Sequence, residues 1–242
     1  MPIAIASYKI TWEKLPDDFL LPDDPVDNID QPALAAALND SLEQAGRLQE
    51  DVLVSTNYGV CATLDGKIVV KAPDWMYVPQ IGVVRDEVRR SYTPQLQGEI
   101  PGIVMEFLSE TEGGEYSIKP TYPPGKWFFY EQVLQVPQYA IFEPKQGVLE
   151  VYQLNNSGRY DLQQPNAENH YKIEALNLCL GVWQGTKSNR TGYWLRWWDK
   201  NGQMLPWGIE SVEQERQRAE QERQRAEALI AQLRAAGIEP QL

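Results

Sequence analysis

The sequence is poor in the residues that most often build metal cages and nucleophilic centres: 242 residues hold two cysteines and one histidine. Cys61 and Cys179 lie far apart with no CxxC spacing, and His170 is the sole imidazole that could join them, which argues against a structural zinc site. Both thiols are expected to be buried. One histidine also removes most catalytic triads and most imidazole-based metal centres. Chemistry here must lean on carboxylates, lysine and a divalent ion. Long apolar runs are missing too, none approaching the ~18 residues of a membrane span. Met1 to Ser7 carries neither a basic start nor an extended apolar stretch. The expectation is a soluble, cytoplasmic protein.

Positive charge is also scarce, with 22 Lys and Arg against 34 Asp and Glu, a net charge of −12. Phosphate binding is dominated by Lys and Arg, so the overall balance points away from nucleic acid. Its distribution weakens that objection. Glu13 to Asp30 holds seven acids and one lysine, and Ile209 to Leu242 seven glutamates and five arginines, leaving the remainder near −4. A locally positive groove is compatible with that remainder. Arg85, Arg89 and Arg90 form its one basic cluster, suited to phosphate but interleaved with Asp86 and Glu87.

What is present is ordinary globular composition, 43% hydrophobic and 23% charged, enough for one core plus something small. Thr11 to Asp30 is rich in Asp and Pro without a period and reads as an extended acidic lead-in. Asp30 is placed as an N-cap, and Leu34, Leu38, Leu42 and Ala45 share one helical face, predicting a helix over Gln31 to Ala45 stopped by Gly46. Asp51 to Val54, Gly59 to Leu64 and Lys67 to Lys71 read as strands, with a hairpin turn at Asp65-Gly66. Pro73-Asp74 closes the third, and an irregular Pro/Gln/Arg segment runs to Ile100. Gly102 to Leu108 is apolar throughout except for Glu106, the pattern of a central strand buried on both faces. A Gly- and Pro-rich loop precedes Lys126 to Leu134, where Trp127, Tyr130, Val133 and Leu134 fall at helical spacing. Gln138 to Phe142, Leu149 to Leu154, Tyr160 to Leu162, Tyr171 to Ile173, Leu180 to Gln184 and Tyr193 to Asp199 complete a β-rich half, an α/β order rather than a helical bundle.

The end of the chain differs in kind. EQERQRA occurs twice in succession, Glu213 to Ala219 and Glu220 to Ala226. Val212, Ala219, Ala226 and Leu233 share one heptad position, a thin seam. Glu213/Arg216, Glu215/Arg218, Glu220/Arg223 and Glu222/Arg225 are i,i+3 pairs worth about 0.2–0.5 kcal/mol each. A solvated helix and a weak coiled coil or docking helix both fit.

Glu106 needs an explanation, because an isolated buried carboxylate costs several kcal/mol unless it is paired or binds a metal. Asp74 ends one strand, Glu106 lies in another and Lys126 opens a helix. Two carboxylates from neighbouring strands offer the hard oxygens that Mg²⁺ takes, and a lysine could offset charge on a phosphate. Alternatively, Glu106 pairs with a Lys or Arg and Asp74 caps a turn. Trp194, Arg196 and Trp198 alternate to one face of a strand, which suits either a stacking platform for bases or core packing; His170 is expected on a surface loop.

KAPDW (Lys71 to Trp75), VMEFLSE (Val104 to Glu110) and GKWFFYEQVLQVPQYAIFEP (Gly125 to Pro144), with LGVWQG, GYWLRWWDKNG and the Glu/Arg-rich tail, resemble the Uma family of restriction-endonuclease-like nucleases, of cyanobacterial type, in the PD-(D/E)XK superfamily. The resemblance runs from about Gln31 to the end. It implies a restriction-endonuclease-like mixed sheet flanked by helices, with extra strands and a coiled-coil-like C-terminal helix: lead-in 1–30, nuclease domain 31–208, charged helix 209–242. It implies a Mg-dependent (or Mn-dependent) endonuclease hydrolysing DNA, with Asp74 and Glu106 as catalytic metal ligands and Lys126 as the third catalytic residue. The superfamily lysine two residues after the acid is absent, since position 108 is Leu and would share the side of position 106. Lys126, four residues before Tyr130, is the migrated position; the acid usual four residues before it is Tyr122 here, and Lys119 is the second choice. The alternative function is an inactive nucleic-acid-binding or assembly protein that kept the fold and uses its C-terminal helix for a partner. Homo-oligomers through the sheet or that helix are compatible with either.

Overall fold

The computed structural model describes residues 8–16, 19, 29–109 and 114–237. Leu34, Leu38 and Leu42 recur at helical spacing, and they bury one face of α1 (Gln31–Gln44) together with Ala35 and Ala37. The predicted helix is present; its predicted cap is not. Asp30 has αR backbone (φ −87°, ψ −32°) and makes no side-chain cap bond, because a capping side chain is aimed at the first-turn N–H groups from extended backbone. Its carboxylate meets Arg190 Nε at 3.1 Å instead.

β1 (Ile10–Thr11) pairs with β3 (Val60–Leu64), which turns into β4 (Lys67–Lys71) through Asp65 and Gly66, both at positive φ (49° and 77°). That is the two-residue turn the Asp-Gly dipeptide predicts. The lead-in is thus held at its described end: Leu15 is buried, and Arg90 donates to the carbonyls of Pro16 (2.7 Å) and Phe19. Residues 17, 18 and 20–28 of it lie outside the described residues. Arg85 reaches the Val52 carbonyl at 3.4 Å, so two arginines of the basic cluster bind the protein's own backbone.

The central sheet has the order β2 (Leu53–Ser55), β5 (Trp75–Val78), β6 (Ile103–Phe107), β7 (Gln138–Glu143), β8 (Val148–Leu154), β9 (Tyr160–Leu162). All neighbours are antiparallel except β6 and β7. A parallel pair requires a crossover, here α2 (Lys126–Phe128) running on into a π-helical turn (Phe129–Leu134). β6 is buried at all five residues, as its composition predicts. β5 differs from expectation: WMYV is a four-residue strand, buried throughout, with no alternation to announce it.

Met76, Val78, Val104, Tyr139 and Ile141 form one core with Ala62, Leu64 and Val69 of the hairpin and Phe128, Phe129 and Tyr130 of the crossover. On the other face, Trp75 Nε1 donates to Asn39 Oδ1 of α1 at 2.7 Å. Its ring packs 5.8 Å from that of Trp197. Trp197 belongs to a three-stranded sheet of β10 (Tyr171–Ile173), β11 (Leu178–Lys187) and β12 (Arg190–Trp198), and its Nε1 reaches the Leu38 carbonyl at 3.3 Å. Core packing accounts for Trp194, Arg196 and Trp197, all buried, with the Arg190 guanidinium 4.7 Å over the Trp194 ring; Trp198, the third residue of the expected platform face, is half-buried. Of the two cysteines, both free, Cys61 is buried and Cys179 half-buried rather than enclosed.

His170 is also not a plain surface residue. It stacks on Trp198 with centroids 3.9 Å apart and planes at 25°, and a Cβ on Gly181 would meet its Cδ2 at 2.4 Å. Burial pushes its pKa below the ordinary 6.5, with Glu168 pulling weakly the other way. The folded state therefore prefers neutral His170, and its contribution is present above pH 6.5 and lost as pH falls through the folded-state value. The single imidazole resonance is expected to titrate below 6.5, and Trp198→Ala to return it towards that value. A midpoint at or above 6.5 in the unaltered protein contradicts the burial that lowers it.

Pro206–Leu242 forms a second compact unit. In α3 (Gly208–Ala235) the backbone N–H of Trp207 donates to Glu210 Oε2 at 2.8 Å, the returning half of a capping box. Glu215–Arg218 (3.0 Å) and Glu220–Arg223 (2.7 Å) pair as predicted, Arg223 also takes Glu227 (2.9 Å), and Glu213 accepts from Gln217 (3.0 Å). No residue of α3 is buried. Removal of residues 209–242 is expected to leave the thermal transition of the remainder within about 2 °C, since screened surface pairs contribute little. A collapse of that transition would show that α3 is integral to the core. Among the described residues no helix is long and apolar enough to cross a membrane.

Candidate active site

The antiparallel register of β5 and β6 pairs Trp75 with Met105, so one step further Asp74 stands opposite Glu106. Side chains directly opposite on such a pair sit within about 5.5 Å at Cβ. Asp74 Oδ2 accepts the backbone N–H of Phe107 at 2.5 Å, and the Phe107 carbonyl accepts Gln31 Nε2 of α1 at 2.8 Å. The end of β6 is thereby pinned from both sides, which fixes where Glu106 projects.

Glu106 is fully buried. Lys126 Nζ donates to Oε2 at 2.9 Å and the Tyr130 hydroxyl to Oε1 at 2.9 Å. Burial pushes Glu106 up to about 8, with Asp74 adding to the push and Lys126 and Tyr130 opposing it. Burial works against the Lys126 ammonium, but Glu106, Asp74 and Glu115 together outweigh it and hold Lys126 above its ordinary range. The Tyr130 phenol is raised by burial and then by Glu106, so it stays a donor. The structure thus brings Glu106 and Lys126 into contact and sets Asp74 on the adjoining strand end. Glu106 does pair with a lysine, one of the two alternatives its sequence context offers, and that lysine is Lys126.

The crossover sets this arrangement. A Cβ on Gly125 would meet the Ser117 carbonyl oxygen at 2.1 Å, so glycine lets the loop close over the start of α2. The helical spacing of Lys126 to Leu134 continues as a π turn, not the α-helix its periodicity suggests, and Phe129, Tyr130 and Glu131 are buried consecutively. Such turns favour functional sites because they re-aim neighbouring side chains. Here Tyr130 goes to Glu106 while Glu131 accepts from Arg159 Nη1 (2.9 Å), the Tyr160 N–H (2.7 Å), Gln132 Nε2 (2.9 Å) and Trp127 Nε1 (3.3 Å).

Leu108 is half-buried against the core. Lys119 is exposed, contributing its carbonyl to the Gly125 N–H at 2.9 Å, and the Tyr122 hydroxyl donates to the Ile68 carbonyl at 3.0 Å. Glu115, which the sequence did not single out, lies 3.8 Å from Lys126 Nζ. Its Gly-rich loop has no period to flag it.

A family model, Uma2, described as "Putative restriction endonuclease", matches residues 20–183, more than half of the chain. The chain belongs to the Uma2 family. The matched region contains Asp74, Glu106, Glu115, Lys126 and Tyr130 and stops before β12 and α3. No individually curated protein matches the chain.

Among the described residues no group of three or more His, Cys, Asp or Glu is placed to hold a metal ion together. Asp74 and Glu106 still fit one by chemistry. They offer hard carboxylate oxygens on adjoining strand ends, and Mg²⁺ is commonly held by one or two carboxylates, keeping waters and substrate oxygens for the rest.

Proposed function

We propose that this Uma2 protein is a divalent-cation-dependent endonuclease that hydrolyses DNA phosphodiester bonds. The observation that carries the reading is the approach of Lys126 to the buried Glu106 at 2.9 Å, beside Asp74 on the facing strand end. Asp74 and Glu106 would hold Mg²⁺ or Mn²⁺, and such an ion supplies a water acidic enough to attack at neutral pH and a Lewis acid for phosphate oxygen. The residues do the rest. Lys126 keeps its proton at Nζ and offers it to the non-bridging oxygens as charge builds in the transition state. Tyr130 holds one oxygen of Glu106, and Asp74 and Gln31 hold the backbone of Phe107, so the carboxylates need little reorganisation. The acidic balance of the chain lies largely in its terminal segments, which leaves the middle of the chain, where the site lies, less repulsive to a phosphate backbone.

Supercoiled plasmid incubated with the full chain is expected to be nicked in Mg²⁺ or Mn²⁺ and left intact in EDTA. Intact plasmid in all three, with DNA still retained in a gel-shift assay, would instead favour a binding protein that kept the fold. The donor already held on each Glu106 oxygen, Lys126 on one and Tyr130 on the other, is the feature that favours that second reading.

A further inference from the structure

Among the described residues of the matched region three carboxylates are buried, Glu106, Glu115 and Glu131, and they differ in how fully they are satisfied. Glu131 takes four donors. Glu106 has a donor on each oxygen. Glu115 is 3% exposed, its Oε1 lies 3.8 Å from Lys126 Nζ, and its Oε2 has no hydrogen-bond partner among the described residues. Its position is nonetheless enforced, because the Tyr139 hydroxyl donates to its backbone carbonyl at 2.9 Å. A buried carboxylate oxygen left without a donor is costly, and such a group in a native structure calls for an explanation.

Lys126 points to one. Its ammonium sits between Glu106 at bonding distance and Glu115 just beyond it. If Glu106 is to give its oxygens to a cation, the ammonium must release them, and its charge would otherwise oppose the incoming ion. We infer that Glu115 is a positioning residue that takes the Lys126 ammonium when Glu106 turns to a divalent cation, so that both the lysine and the metal acid are available together. The inference rests on the proposed cation-dependent reading of the site and names a residue which that reading does not need.

Mn²⁺ binding by the full chain, followed by electron paramagnetic resonance and calorimetry without DNA, tests it. Glu115→Gln is expected to weaken Mn²⁺ about 10- to 100-fold, the usual cost of losing a group that orients a ligand, and Glu115→Asp to recover most of the loss. In a Lys126→Met background the same Glu115→Gln change should add less than about twofold, because its effect passes through the ammonium. A folded Glu115→Gln protein that binds Mn²⁺ within about twofold of the unaltered chain overturns the inference and leaves the proposed function standing. An undiminished loss in the Lys126→Met background overturns it as well, since Glu115 would then act on the ion directly. If Glu115→Gln fails to fold, Glu115→Asp carries the test: Mn²⁺ binding more than about tenfold weaker than that of the unaltered chain contradicts a carboxylate-specific role. An unaltered chain that binds no Mn²⁺ overturns both readings.

Discussion

Glu106→Gln is expected to abolish cation-dependent nicking while the protein stays folded. The amide keeps the size of the carboxylate and one oxygen, enough to accept from either Lys126 or Tyr130, so one of the two 2.9 Å contacts that seat the side chain has a replacement acceptor. What it loses is the anionic oxygen that a hard cation requires. Asp74→Asn is the matching change on β5, and it is preferable to Asp74→Ala for a physical reason. Asp74 Oδ2 is the acceptor for the Phe107 N–H, and alanine would leave that group without a side-chain partner at a cost of about 1–3 kcal/mol. Loss of activity in Asp74→Ala would then mix stability with chemistry. Both conservative variants should show at least about a thousandfold less nicking in Mg²⁺, with melting temperatures within a few degrees of the parent. If either cleaves like the parent, the assignment of the two acids is wrong.

Lys126→Ala carries the second large effect. The ammonium is the charged donor that meets Glu106, and Leu108, at the position where the superfamily pattern would place a lysine, has no charge to substitute. Removing a preorganised donor from a developing oxyanion costs about 10²–10³-fold in rate, and a loss of that size is expected here. It also leaves Glu106 buried without its cation, so the carboxylate should take up a proton more readily. Lys119→Ala is the control: Lys119 is exposed and meets Gly125 through its backbone carbonyl, which alanine retains. Plasmid nicking by the two variants, side by side, should rank them at least about a hundredfold apart. The opposite ranking would move the lysine's role to position 119 and undo the site as drawn.

Elements whose physics is local were legible in the sequence. The apolar period of Leu34, Leu38 and Leu42, the Asp65-Gly66 turn, the unbroken apolar run around Glu106 and the repeated EQERQRA each determine backbone within a few residues, and α1, the β3–β4 hairpin, β6 and α3 stand where those patterns put them. A lone acid in an apolar strand likewise announced that Glu106 must have a partner. Which partner it has, and how it is held, depended on contacts between residues distant in the chain. Strand β5 is too short to show a period and exists because β2 and β6 flank it. The π turn, the stacking of His170 on Trp198 and the burial of Trp197 against α1 and Trp75 each need a surface supplied from elsewhere. Glu115 is the sharpest case. Its neighbours in sequence carry no pattern, and only the folding of a glycine-rich loop over α2 places its carboxylate beside Lys126, because periodicity records which side of an element faces the core and not which residues of two elements meet there.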